Sequence, residues 1–276
     1  PLGGPQKCAT LPQIWHQLPK QRTPCKTMQP MECATRKKKK NRQDRTRLIA
    51  PDDSRIRDAP FLQAPFIHQH NEPKYHALLL RAVENAKRAT DNPEHVLWAI
   101  AQDTPVKDES TTVSLEQLAK KRARWLQLHD QKTSGIPGLF PFYYNMHVRI
   151  TEKISTNLNI LKHCSGKVVG WELDTGDTTC EERGAERMLN YLPKIIYVKF
   201  EDAEWRIHPL MDQGVFPFRP VTRHWILNHK SGQRVKRRGF PLIPDYASTA
   251  HMVQGTTLDG LVVPKDVRRL LGKKQR

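Results

Sequence analysis

Thr249-Ala250-His251-Met252-Val253-Gln254-Gly255-Thr256-Thr257-Leu258 is the stretch on which the reading of this chain turns. It follows Phe240-Pro241-Leu242-Ile243-Pro244 and precedes Gly260-Leu261-Val262-Val263, an apolar run that reads as a strand. A hydroxyl, an imidazole, an amide and a glycine on one tight loop offer partners for a phosphate or a base and permit close backbone approach. Taken alone, a Thr-x-His on a loop is more often a satisfied structural group than a ligand contact. The order of its flanks gives it weight.

Working upstream, Arg234, Lys236, Arg237 and Arg238 form a basic group just ahead of the loop. They read as phosphate contacts or as a solvated hairpin tip, with equal weight. Between residues 141 and 238 the chain is a series of short β-type runs, at 146–150, 166–171, 194–200 and 221–227, separated by turn residues. That spacing suggests a small antiparallel barrel or sandwich. The texture further upstream is different. A short strand within 59–67 is followed by a helix over 75–88, where Leu78, Leu79, Ala82, Val83 and Ala86 recur at three- and four-residue spacing. Residues 96–100 make a continuous apolar pentamer, and 114–129 a second, basic amphipathic helix with Ser114 as its N-cap candidate. Strand, helix, strand opens an α/β unit.

The chain has 276 residues, with 46 Lys+Arg against 28 Asp+Glu, a net charge of +18 and a pI near 9.9. That balance points to a polyanionic partner. Residues 1–58 hold 14 basic and 5 acidic side chains, so 14 − 5 = +9 of the charge, together with seven prolines and no apolar period. Disorder is the expectation there. The run Arg36-Lys37-Lys38-Lys39-Lys40 reads as a nuclear address, a nucleic-acid arm or a solvated linker, and a mitochondrial location is the alternative to a nuclear one. No apolar run of about 18 residues exists to span a bilayer and no signal-peptide core opens the chain, so an intracellular protein without a membrane partner is expected. Cys8, Cys25, Cys33, Cys164 and Cys180 are odd in number and match no metal-ligand spacing, which reads as reduced thiols and no metal site. The first residue is Pro1, which reads as a fragment or a processed product.

The 249–258 stretch resembles motif V of superfamily 1B DNA helicases of the petite-integration-frequency (Pif) and Helitron types, T-x-H-K-S-Q-G-x-T-L downstream of R-x-Q-F-P-L. Asn145-Met146-His147-Val148-Arg149-Ile150-Thr151 is similar to the family's v-G-M-x-V-x-L-T segment. Gly166-Lys167-Val168-Val169-Gly170 looks like its G-T-V-x-G turn, and Ala64-Pro65-Phe66-Ile67 through Asn71 like the start of its second RecA-like domain. The resemblance implies an α/β fold in which that domain, 2A, is interrupted by a small SH3-like β-barrel, 2B. The divisions are a disordered basic segment at 1–58, the first part of 2A at 59–140, the β-rich insertion at 141–238 and a return to 2A at 239–276. It also implies that Thr249 and His251 lie nearest single-stranded DNA, and that Gln254, Gly255 and Thr256 form a loop coupling DNA to nucleotide state.

Several family features are changed or missing. The lysine and serine of H-K-S-Q-G are Met252 and Val253, the glutamine of R-x-Q-F-P-L is Gly239, and the family's N-G-T is His163-Cys164-Ser165. No G-x-x-x-x-G-K-[ST] loop and no acidic Walker B strand occurs, and Arg268 and Arg269 lack the setting of the motif VI arginine. The resemblance therefore implies the C-terminal part of a DNA helicase with no catalytic residue and no ATPase of its own. ATP and Mg²⁺ are expected only for an intact member, whose first RecA-like half would be a partner in the same polypeptide. The alternatives are a standalone nucleic-acid-binding remnant of a mobile element, or a degenerate product. Trp98, Trp125, Trp171, Trp205 and Trp225 read mainly as core, with base stacking as the second reading.

Overall fold

The computed structural model describes residues 64–88, 96–106, 115–176, 181–183, 186–228, 232–254 and 260–262. Its elements in order are β1 (Phe66–His68), α1 (Asn71–Arg88), β2 (Val96–Ile100), β3 (Gln102–Pro105) and α2 (Leu115–Leu126). A 3-10 turn (Asp130–Thr133) leads to β4 (Leu139–Phe142), β5 (His147–Ile150), β6 (Ser165–Glu172), β7 (Glu181–Arg183) and β8 (Glu186–Met188). Then come β9 (Ile195–Lys199), β10 (Val215–Phe218), β11 (Val221–Asn228), β12 (Gln233–Gly239), β13 (Leu242–Pro244) and β14 (Ala247–Thr249). The class is mixed α/β, as the sequence implies. The disordered segment expected at 1–58 and the Ser114 cap lie outside the described residues.

α1 starts earlier than its apolar stripe, because Lys74 and Tyr75 are buried as well as Leu78, Leu79, Ala82, Val83 and Ala86. Pro73 sits in the first turn, where a helix has no use for the missing N–H, and Glu72 favours the positive end of the dipole. The Tyr75 hydroxyl donates to the Leu139 carbonyl at 3.1 Å and accepts from the Leu139 N–H at 3.2 Å, stitching the helix to β4. Burial pushes that phenol up to about 12.

β2 is buried along its whole length, between β4 (antiparallel) and β8 (parallel), in the order β4-β2-β8-β7. A five-stranded sheet runs β10-β9-β6-β5-β13, and a three-stranded one β11-β12-β3. β1 pairs in parallel with β14, and Val262 bridges to Phe66 on the other side of β1. One apolar cluster links α1, β2, β4, β5, β9 and β13, while Trp125, Trp225 and Val235 form a smaller second one.

The barrel expected over 141–238 is not closed. Among the described residues its strands form an open sheet whose margins are β10 and β13, and the rest pair elsewhere. β8 goes to β2, and β12 goes to β3, so hydrogen bonds cross the expected division at residue 140. β3 escaped the sequence reading because Gln-Asp-Thr-Pro lacks both apolar alternation and β-branched bulk. Pro105, Pro141, Pro217 and Pro244 all lie in strands at the margin of their sheets, the places where a missing ladder donor is tolerated. Gly138 is required by close approach, since a Cβ there would sit 2.1 Å from the Leu126 carbonyl oxygen at the end of α2.

Candidate nucleic-acid interface

β1 and β14 run in the same direction, with His68 opposite Thr249, so both carboxyl ends open at one place. In open parallel sheets this is where ligands are held. Immediately after Thr249 the chain bends. The Ala250 N–H donates to the His68 carbonyl at 3.2 Å, and the Met252 and Val253 N–H groups both donate to the Thr249 carbonyl, at 2.9 and 3.3 Å. Thr249 is itself 9% exposed, and its carbonyl holds the turn. His251 and Gln254 are exposed, as are Gln69 and His70 where β1 leads into α1. Met252 and Val253 are half-buried, and Gly255 and Thr256 lie outside the described residues.

The strand carrying this turn is fixed from below. Arg149 on β5 pairs with Asp245 at 2.6 Å and donates to the Ser248 hydroxyl at 3.3 Å, while the Ser165 hydroxyl donates to Asp245 at 2.5 Å. Tyr143 and Tyr246 share a hydroxyl–hydroxyl hydrogen bond of 2.8 Å, and the His147 N–H donates to the Tyr246 oxygen at 3.3 Å. Burial, then the nearby Lys167 ammonium, hold the His147 imidazole below its usual range against the opposing pull of Asp245 and Glu201. Arg149 and Asp245 carry no sequence signal for this role, because the pairing depends on β5 meeting β13 in antiparallel register.

The basic group on β12 is divided by the pleat. Arg234, Lys236 and Arg238 are exposed on one face, whereas Val235 and Arg237 face inward. Arg237 is fully buried, so its expected place among the phosphate contacts is corrected to a structural one. Its Nε and Nη2 donate to the two Asp103 carboxylate oxygens at 2.7 and 2.6 Å. Nη2 also donates to the Trp125 carbonyl at 2.8 Å, and Nη1 to the Ile136 carbonyl at 3.2 Å. The guanidinium lies 5.5 Å from the centre of the Trp225 ring, which meets Trp125 edge to face. A buried charge is tolerated only when paired and hydrogen-bonded in this way. The signal was legible in retrospect: period-two alternation through Val235 marks Arg237 as inward.

The tryptophans follow the core reading. Trp98, Trp125 and Trp225 are buried, Trp171 packs edge to face on Phe142, and Trp205 donates to the Leu158 carbonyl at 2.8 Å. No G-x-x-x-x-G-K-[ST] loop occurs in the sequence, and the groups on the turn and at the end of β1 are the imidazoles of His70 and His251, the amides of Gln69 and Gln254 and the Thr249 hydroxyl. No cluster of metal-ligating side chains occurs among the described residues.

No family model matches the chain, and no curated protein matches it. Solved structures it is similar to include Pif1 helicases. The Pif1 helicase of Candida albicans overlaps with a TM-score of 0.41 at 15% identity, over 75% of this chain and 40% of that one. Unliganded Pif1 from Bacteroides sp gives 0.37 at 11% identity, over 72% and 46%. Bacteroides Pif1 bound to ssDNA gives 0.37 at 12% identity, over 72% and 34%. The chain therefore spans less than half the length of each. Overlaps of this size do not decide kinship, and the functional reading rests on the residues themselves.

Proposed function

We propose that this chain supplies the single-stranded-DNA contact and coupling part of a DNA helicase of the Pif type, the nucleotide-binding half being provided elsewhere. One observation carries the reading: the Thr-x-His stretch that resembles motif V stands at the joint carboxyl end of the parallel pair β1 and β14, with His251 exposed. A turn anchored on the Thr249 carbonyl sets the imidazole of His251 and the amide of Gln254 toward solvent, where they can donate to phosphate or base oxygens. The chain by itself turns over no ATP, because catalysis of phosphoryl transfer is positioning by loops and metal that this sequence lacks.

A second reading is a nucleic-acid-binding remnant without a motor, and it is favoured by Met252 and Val253, half-buried apolar residues where the family places lysine and serine. Fluorescence anisotropy of the full chain with a single-stranded oligonucleotide tests the site. Thr249→Ala with His251→Ala is expected to weaken binding by about 1–3 kcal/mol, the scale of a lost charged or buried hydrogen bond. Unchanged affinity with an intact circular-dichroism spectrum would remove the turn from the binding path.

A further inference from the structure

The outer face of the β11-β12-β3 sheet is a polar and basic surface apart from Ile226. Its middle strand presents Arg234, Lys236 and Arg238, spaced roughly 7 Å apart by the two-residue period of a strand. Across β11 the opposed residues are Ile226, His224 and Thr222, and across β3 Lys236 and Arg238 face Thr104 and Gln102. No acidic side chain stands among these eight positions. The one carboxylate of β3, Asp103, lies on the other face, paired with Arg237. Among the described residues the outer cations thus have no acidic partner on their own surface, while the strand that carries them is bolted from beneath to β3, the end of α2 and the 134–138 segment.

We propose that this face is a second nucleic-acid site, separate from the 249–254 turn, which holds a phosphate backbone without reading bases. Three cations at even spacing on a rigid strand lose little order on binding and match a linear polyanion. Stacking on tryptophan has no part, because Trp225 is turned inward and buried, which leaves the imidazole of His224 as the ring on this face. A bilayer fits less well, since Ile226 is the face's one apolar side chain and is 41% exposed, too little to insert. Arg237 acts here as a positioning residue.

The test compares salt dependence in the full chain. Arg234→Gln/Lys236→Gln/Arg238→Gln is set beside a matched removal of three exposed cations from α2, Lys120→Gln/Lys121→Gln/Arg124→Gln. Binding of a single-stranded oligonucleotide is followed from 50 to 200 mM salt. The sheet variant is expected to flatten the plot of log K against log salt by about 2, at about 0.7 for each phosphate no longer neutralised, equally for oligonucleotides of different sequence. The α2 variant keeps the original slope. Equal flattening by both variants would reduce the effect to net charge and overturn the proposal, as would an unchanged slope in the sheet variant or tighter binding to anionic phosphatidylserine vesicles than to the oligonucleotide. The proposal stands apart from the reading of the 249–254 turn. Thr249→Ala/His251→Ala removes no lysine or arginine and is expected to leave the slope unchanged whatever it does to affinity.

Discussion

Two surfaces of this molecule are each held up by an arginine–aspartate pair, and the pairs differ in how wet they are. Under the β11-β12-β3 sheet, Arg237 and Asp103 have side chains 0% and 1% exposed, with both carboxylate oxygens and two backbone carbonyls engaged. Under the β1–β14 turn, Arg149 and Asp245 are 19% and 12% exposed and lean on two serine hydroxyls. Chemistry of the same kind therefore gives two kinds of support. Without water the pair acts as an all-or-none fixture, and removing one member strands a charge. With partial hydration the survivor can be solvated, so the support is softer and more open to salt and pH.

The comparison breaks most visibly at Arg237. Arg237→Ala is expected to destabilise the fold by about 3–5 kcal/mol in urea denaturation, because Asp103 is left buried and unpaired. Replacing both with apolar residues of similar volume, Arg237→Met with Asp103→Leu, should recover most of that loss. Arg149→Ala should cost less, about 1–2 kcal/mol, since Asp245 retains the Ser165 hydroxyl and reaches water. High salt should shrink the Arg149 effect and leave the Arg237 effect in place.

Acidification sharpens the contrast further. His147 lies beside Asp245, and its folded-state pKa is below the ordinary value near 6.5. The unfolded chain takes up that proton first, so the contribution is complete above about pH 6.5 and is lost as the pH falls below it. His129 and His163 are shifted in the same direction by burial, so the whole chain weakens toward acid. His147→Gln should therefore show a smaller drop in urea midpoint between pH 7.5 and 5.5 than the unaltered chain. An equal drop would assign the acid sensitivity to the other histidines. The smallest effect is expected from the outer cations. Arg234→Gln/Lys236→Gln/Arg238→Gln should change stability by no more than about 0.5 kcal/mol per site, as exposed positions away from structural features do.

How much of this was legible beforehand follows from the range of the forces involved. α1, β2 and the strands near 147, 166, 195 and 221 announce themselves through local apolar period, a signal carried within a few residues. The flanks of Thr249 and His251 marked the stretch as a contact loop, and in the structure Thr249 ends β14 and His251 lies on the turn that follows. The inward fate of Arg237 was not used, although the alternation around Val235 held it. Strand spacing suggested a barrel or a sandwich and the family resemblance a barrel, but which strands pair is set by partners far along the chain, here β2 and β3. Asp103 and Asp245 were invisible for the same reason, since their roles exist only after segments more than eighty residues apart have met.

The four marginal prolines carry a consequence for how the chain meets copies of itself. Pro105, Pro141, Pro217 and Pro244 each remove an N–H from an outer strand, across three different sheets. A second copy seeking to zip onto such a margin finds an interrupted row of donors, and an interrupted row is a poor template for strand-to-strand growth. Among the described residues four of the six margins of these sheets are blunted in this way, and β11 and β7, which carry no proline, are the margins left open to such growth.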